Sequence, residues 1–107
     1  MLFSMRFDAA MRILSYLRHT KVAKISELAI ISGAAPETTS KVAQSLVRLG
    51  YLVGTRGPAG GYSLAHQEPI RASEVLVNID GELDNPATPV LRALQEMVLS
   101  ELDRTFV

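Results

Sequence analysis

Apolar residues recur over the first twenty positions at spacings of three and four. Phe3, Phe7, Ala10, Leu14 and Leu17 share one face, so Ser4–His19 is predicted to be an amphipathic helix. Arg6, Arg12 and Arg18 spiral away from a single line and are expected in solvent, with Arg6 close enough to the helix start to meet a phosphate. A short, partly β-prone connector, Lys21–Ile25, follows. Ser26 is expected to cap a helix Glu27–Ser32, with Glu27 at its positive end and Gly33 as its stop. Pro36 then opens a helix that runs to Leu49 and closes at Gly50. The small pair Ala34-Ala35 permits the close packing of a tight junction, so the two helices form a helix-turn-helix candidate.

The pattern then changes period. Tyr51–Arg56 and Gly61–Ala65 are short, apolar and β-prone, and Gly57-Pro58-Ala59-Gly60 between them reads as a hairpin tip. Ala72–Ile79 is predicted as a further short helix, stopped at Asp80-Gly81. Glu82–Ala87 reads as a polar linker. Thr88 caps and Pro89 starts a last helix to about Arg104. The fold class expected is mainly α with a small β-hairpin: a winged helix-turn-helix over residues 1–81, then a linker and C-terminal helix over 82–107. That last helix carries Val90, Leu91, Leu94, Met97, Val98, Leu99 and Leu102 over too wide an arc for one contact. Leu91, Leu94, Val98 and Leu102 are therefore expected to pair with a second copy of the chain; the alternative is the central core helix of a monomer.

Composition narrows the choice. At 107 residues, 48% hydrophobic and 21% charged, the chain suits one ordinary folded domain with a modest core. No apolar run approaches the roughly 20 residues that span a bilayer, so no membrane partner is expected. No secretory leader is visible, and a cytoplasmic location is expected. The basic, amphipathic start has the look of a transit peptide, but the same residues serve better as a core helix.

The chain has no cysteine, which removes disulfides, thiolate metal sites and cysteine nucleophiles. His19 and His66 are not at a metal-ligand spacing. Asp80, Glu82 and Asp84 lack the length and closing Glu of a calcium loop and read as a solvated linker. No nucleophile–base pair is in evidence, so neither catalysis nor a cofactor is expected.

The net charge is zero but lopsided. Residues 1–71 hold nine Lys/Arg against four Asp/Glu, and residues 72–107 hold two against seven. A basic body fits a nucleic-acid face, although chance clustering gives the same counts. On the helix from Pro36, Thr39, Val42, Leu46 and Leu49 gather on one side and Glu37, Ser40, Lys41, Gln44 and Arg48 on the other, with Thr38 and Ser45 at the border. The polar side has the groups that read base edges and hold phosphates, or is simply solvated. Arg56, on a tip whose glycines allow close approach, could enter a narrow minor groove. Tyr62 is expected to pack on the hairpin. Double-stranded DNA is the expected partner; the alternative is a winged-helix protein-interaction module.

The segment GYLVGTRGPAGGYSLA, Gly50–Ala65, resembles the wing of the bacterial Rrf-type family of winged-helix transcription regulators, which includes iron–sulfur, nitric-oxide and cysteine-metabolism regulators. Phe7–Leu14 resembles the family's opening helix, Ile25–Ala29 its second helix and Ile70–Gly81 the short helix after the wing. The Arg-Gly-x-x-Gly-Gly-Tyr wing is the most specific part. The resemblance implies a homodimer on a palindromic operator, usually as a repressor. It places Glu37, Thr38, Ser40 and Lys41 at the major groove. Arg56, Gly57, Pro58, Ala59, Gly60 and Gly61 would meet the minor groove, and Ser4 and Arg6 the backbone. Sensing members carry cysteines between the short helix and the dimer helix. Here that region is Glu82–Ala87 and has none, so a cysteine-held cluster is excluded and Asp8 becomes an exposed helical acid. Arg71 replaces the usual Ser/Thr cap of the short helix, and Ser73 is expected to cap it late. The effector is left open: a small molecule, a partner protein, or none.

Overall fold

The computed structural model describes residues 5–58, 60–79, 97 and 100–107. Three helices come first: α1 (Met5–His19), α2 (Ile25–Ser32) and α3 (Pro36–Arg48). An antiparallel hairpin follows, β1 (Leu52–Thr55) and β2 (Gly61–Leu64), and then α4 (Ala72–Ile79). This is the mainly helical winged fold expected. The linker Glu82–Ala87, most of the last helix and the acidic group Asp80, Glu82 and Asp84 lie outside the described residues, as do Phe3 and Ser4.

α1 is the centre of the domain, packed against α2, α3 and α4. Its buried set is therefore wider than the predicted stripe: Phe7, Ala10, Leu14 and Leu17 are joined by Ala9 and Ile13. Ile13, Leu14, Leu28, Leu46 and Leu76 are essentially withdrawn from solvent. Each such side chain stabilises the fold by about 1.5–3 kcal/mol relative to an exposed one.

α2 begins at Ile25, two residues before the predicted start. Its cap is Lys24, extended and without a side-chain bond, so Ser26 is not the cap. The cause is tertiary. Ala23 donates to the Tyr62 carbonyl at 2.9 Å and accepts from the Tyr62 amide at 2.7 Å, forming a one-residue third strand beside the hairpin. That bridge ends at Ala23 and leaves Lys24 to accept the first helical bonds, from Glu27 and Leu28. At the other end Gly33 closes α2 in the left-handed region, at φ 71°.

α3 ends at Arg48, with Leu49 as its C-cap. Leu49 leaves the predicted buried stripe for partial solvent exposure, and Ala43 replaces it beside Thr39, Val42 and Leu46. The hairpin pairs Leu52 with Leu64 and Thr55 with Gly61, so β1 is one residue shorter at both ends than the sequence suggests and β2 one residue shorter at its outer end. Tyr62 packs as expected, its ring 3.6 Å from where a Cβ on Gly54 would stand.

A candidate nucleic-acid interface

The turn between α2 and α3 is held by two buried hydroxyls. Ser32 and Thr39 hydrogen-bond to each other at 2.8 Å. Thr39 Oγ1 also reaches the Ala35 carbonyl at 3.1 Å, and the Ala34 amide donates to Ser32 Oγ at 3.2 Å. Thr39, on the apolar face of α3, thus acts as a polar pin fixing the angle at which α3 leaves the turn. Its hydroxyl is satisfied despite complete burial, which is the condition for a polar group to sit in a core.

With its inner face fixed, α3 presents Glu37, Lys41, Gln44 and Arg48 to solvent, with Thr38 and Ser40 half-buried. Gln44 Nε2 donates to Ser40 Oγ at 3.3 Å and Arg48 Nη2 to Ser45 Oγ at 3.1 Å. Arg6 comes over from α1 to share one hollow of about 350 Å³ with Lys41, Gln44 and Arg48. Among the described residues no carboxylate lines that hollow, so three cations face a common space with hydrogen-bond donors between them. Asn78 of α4 lines it too, a residue sequence reasoning missed. The only available signal was its spacing of four from Glu74 on the polar side of α4. Asn78 is oriented through Tyr51: it donates to the Tyr51 hydroxyl at 3.1 Å, which donates to Glu74 Oε1 at 2.9 Å.

A second hollow, of about 290 Å³, separates α3 from the wing, with Gln44 and Val47 on one wall and Thr55, Arg56, Gly61 and Tyr62 on the other. Gln44 borders both hollows and stands on the ridge between them. At the wing tip Arg56, Gly57 and Pro58 are exposed, and Ala59 lies outside the described residues. Gly57 has φ +103°, which a side chain would strain, and its carbonyl accepts from the Gly60 amide at 2.9 Å. Gly60 itself is buried, a correction to its expected place on the groove-facing surface. A Cβ there would collide with the Thr55 carbonyl, so this glycine is needed for the turn. A Cβ on Gly61 would stand 2.6 Å from the Ala23 carbonyl, so that glycine lets the third strand dock.

Two further expectations are corrected at the C-terminal segment. Arg18 is not a solvated arginine: it donates to the backbone oxygens of Gln67 at 2.8 Å, Glu68 at 3.1 Å and Val107 at 2.7 Å. Ser73 is not a late cap but donates to Asp103, while Arg71 stands at the cap position, its carbonyl accepting from Glu74 and Val75. Leu102, expected at an interface between copies, is half-buried and has one side against this chain's own core, which leaves that expectation open. Leu91, Leu94 and Val98 lie outside the described residues. Residues 101–102 are helical and 103–104 turn, after which Val107 and Ile70 exchange two backbone bonds of 2.8 Å. Arg12 pairs with Asp8 at 2.9 Å, both exposed.

The fold is shared with solved structures of low sequence identity. CymR from B. subtilis, titled the global cysteine regulator of that organism, superposes with a TM-score of 0.78 at 18% identity, over 97% of this chain and 91% of the other. IscR from T. potens gives 0.76 at 19% identity, over 96% and 80%. CymR from Staphylococcus aureus gives 0.72 at 18%, over 96% and 92%. No curated protein matches the sequence. A family model, Rrf2, described as an iron-dependent transcriptional regulator, matches residues 3–103. The residues present do not fit the iron of that description. The chain has no cysteine, and among the described residues no three of His, Asp and Glu converge as a metal would require. The match nonetheless runs over nearly the whole chain and agrees with the winged fold: the protein belongs to the Rrf2 family of transcriptional regulators.

Proposed function

We propose that the chain is a sequence-specific DNA-binding regulator, acting as a repressor and as a homodimer on a palindromic operator, without an iron–sulfur cluster. The observation that carries this reading is the hollow where Arg6, Lys41 and Arg48 converge, with no carboxylate among the described residues that line it and with exposed Arg56 on the wing across the ridge of Gln44. A group of cations sharing one hollow suits a phosphate backbone. Gln44, Ser40, Lys41 and Glu37, on the same helix face, supply the groups that discriminate base edges. Arg56 on a narrow, glycine-bounded tip suits a minor groove, where negative potential is concentrated. Residues 1–81 are the reading module and 82–107 the pairing module, with Leu91, Leu94, Val98 and Leu102 as contacts to a second copy. The regulator works in the cytoplasm.

A mobility-shift titration on duplexes selected from a random pool tests the reading. Affinity falls steeply with salt, with a logarithmic slope of about −0.9 per phosphate contacted. Sedimentation of the bound species gives two chains per operator. A flat salt response overturns the reading and leaves the wing and α3 as a protein-docking surface.

A further inference from the structure

α3 has two different flanks. On one, across Gln44 and Val47, stands the wing. On the other, Lys41, Ser45 and Arg48 face residues from outside the helix-turn-helix: Arg6 of α1 and Asn78 of α4. A helix seated in a major groove, which is about 12 Å wide, has a phosphate backbone on each side. The flank away from the wing is therefore where α1 and α4 come nearest to one of the two strands.

Asn78 is exposed but held. α4 buries Val75 and Leu76 and packs against α1, so its last turn has a fixed base. Asn78 Nδ2 donates to the Tyr51 hydroxyl at 3.1 Å, and that hydroxyl donates to Glu74 Oε1 at 2.9 Å. Glu74 sets the order, because a carboxylate only accepts: the phenol proton goes to Glu74, and the phenol oxygen is left to receive an N–H. A flipped amide would turn its own oxygen toward a lone pair. Burial above all keeps the phenol titrating above the ordinary 10.0, so near neutral pH this proton stays in place. One N–H of the Asn78 amide is thereby fixed on Tyr51. The second has no partner among the described residues and belongs to a hollow shared with three cations.

We propose that Asn78 is a further DNA-contact residue: its second amide N–H donates to a phosphate of the strand on the flank of α3 away from the wing, and Tyr51 is the residue that positions it. The proposal rests on the DNA-binding reading above. Asn78 meets backbone and not a base edge, because it stands on α4, outside the helix that reaches the groove floor. Amide side chains are ordinary donors to phosphate, and such contacts fix register without carrying sequence information. Arg6, Lys41 and Arg48 attract the strand; a single directional donor on a held side chain selects one phosphate of it.

The test pairs Asn78→Ala with duplexes in which single phosphates are replaced by neutral methylphosphonates. Urea unfolding shows that each variant is folded. Asn78→Ala weakens binding about fivefold, the worth of one neutral hydrogen bond, and does so equally on selected and random duplexes. The salt slope is unchanged, because an amide displaces no counterion. At one phosphate per bound chain, the penalty of the methylphosphonate is smaller in Asn78→Ala than in the parent by that same factor. Tyr51→Phe gives part of the loss in the parent and none in the Asn78→Ala background. Equal binding by folded Asn78→Ala, a loss confined to the selected sequence, a changed salt slope, or additive losses at Tyr51 and Asn78 overturns the proposal. So does a methylphosphonate scan in which no position is coupled to Asn78. A parent chain that binds no duplex overturns the DNA-binding reading itself, and this proposal with it; a parent that binds while folded Asn78→Ala binds equally overturns this proposal alone.

Discussion

Two arginine neighbourhoods divide the molecule. On one side Arg6, Lys41 and Arg48 share a hollow, and Arg48 makes only one described bond, a 3.1 Å contact to the Ser45 hydroxyl of its own helix. On the other, Arg18 holds three backbone oxygens from two stretches of chain, one reached across 89 residues of sequence. Both sets lie on helices with comparable spacing and polar neighbours. The difference is what the tertiary fold brings within reach. Backbone carbonyls left over from irregular segments need donors, and Arg18 lies where the 67–70 link and the 103–107 segment supply them. Among the described residues nothing comparable approaches Lys41 or Arg48. A cation used by the fold and a cation left for a partner are distinguishable by their acceptors, not by their sequence context.

Substitutions on the two sides should therefore separate stability from binding. The largest effect expected is Arg18→Ala, which removes a charged donor from three backbone oxygens and lowers unfolding free energy by about 2–3 kcal/mol in a urea titration. Arg18→Lys recovers only part, because an ammonium cannot span both segments as the planar fork does. If Arg18→Ala melts like the parent chain, the contrast between the two neighbourhoods disappears.

Thr39→Val keeps the shape of the side chain but leaves Ser32 without its buried partner. A loss of about 1–2 kcal/mol is expected, together with weaker operator binding as the helix-turn-helix angle loosens. Lys41→Ala should do the converse: unfolding changes by no more than about 0.5 kcal/mol, while the salt slope of DNA binding falls by about one unit. A stability loss at Lys41 matching that at Arg18 would erase the distinction drawn here.

The smallest expected effect is at Tyr51, between the two regions. Burial raises its phenol above the ordinary value of 10.0; the bond from Asn78 opposes this and the bond to Glu74 adds to it. The neutral form is the one favoured by folding, so the contribution is complete below pH 10 and is lost as pH rises through the folded-state value. Tyr51→Phe should flatten the alkaline limb of a stability–pH curve. An unchanged limb would mean that the phenol titrates alike in both states.

Local signals located most elements. Pro36 opened α3, Gly33 closed α2, and the extent of α4 agreed with its sequence pattern. The wing was legible because Gly57 needs positive φ and Gly60 and Gly61 have no room for a Cβ, requirements that leave few residue types. The α3 face was legible because helical periodicity separates an inner from an outer side regardless of what the helix packs on. The signal for α2 misled at Ser26, since a capping preference worth about 1 kcal/mol yielded to the backbone bridge from Ala23 to Tyr62.

The sequence by itself determined the order of elements, the outward residues of α3 and the glycine-dependent turn of the wing, because each follows from periodicity or steric restriction within a few residues. Only the tertiary structure decided which arginine is consumed by the fold, that Arg6 and Asn78 join Lys41 and Arg48, and that Ser32 and Thr39 pin the turn. Those contacts link residues whose separation along the chain carries no local signature. They exist because packing around α1 brings together side chains from distant stretches of the chain.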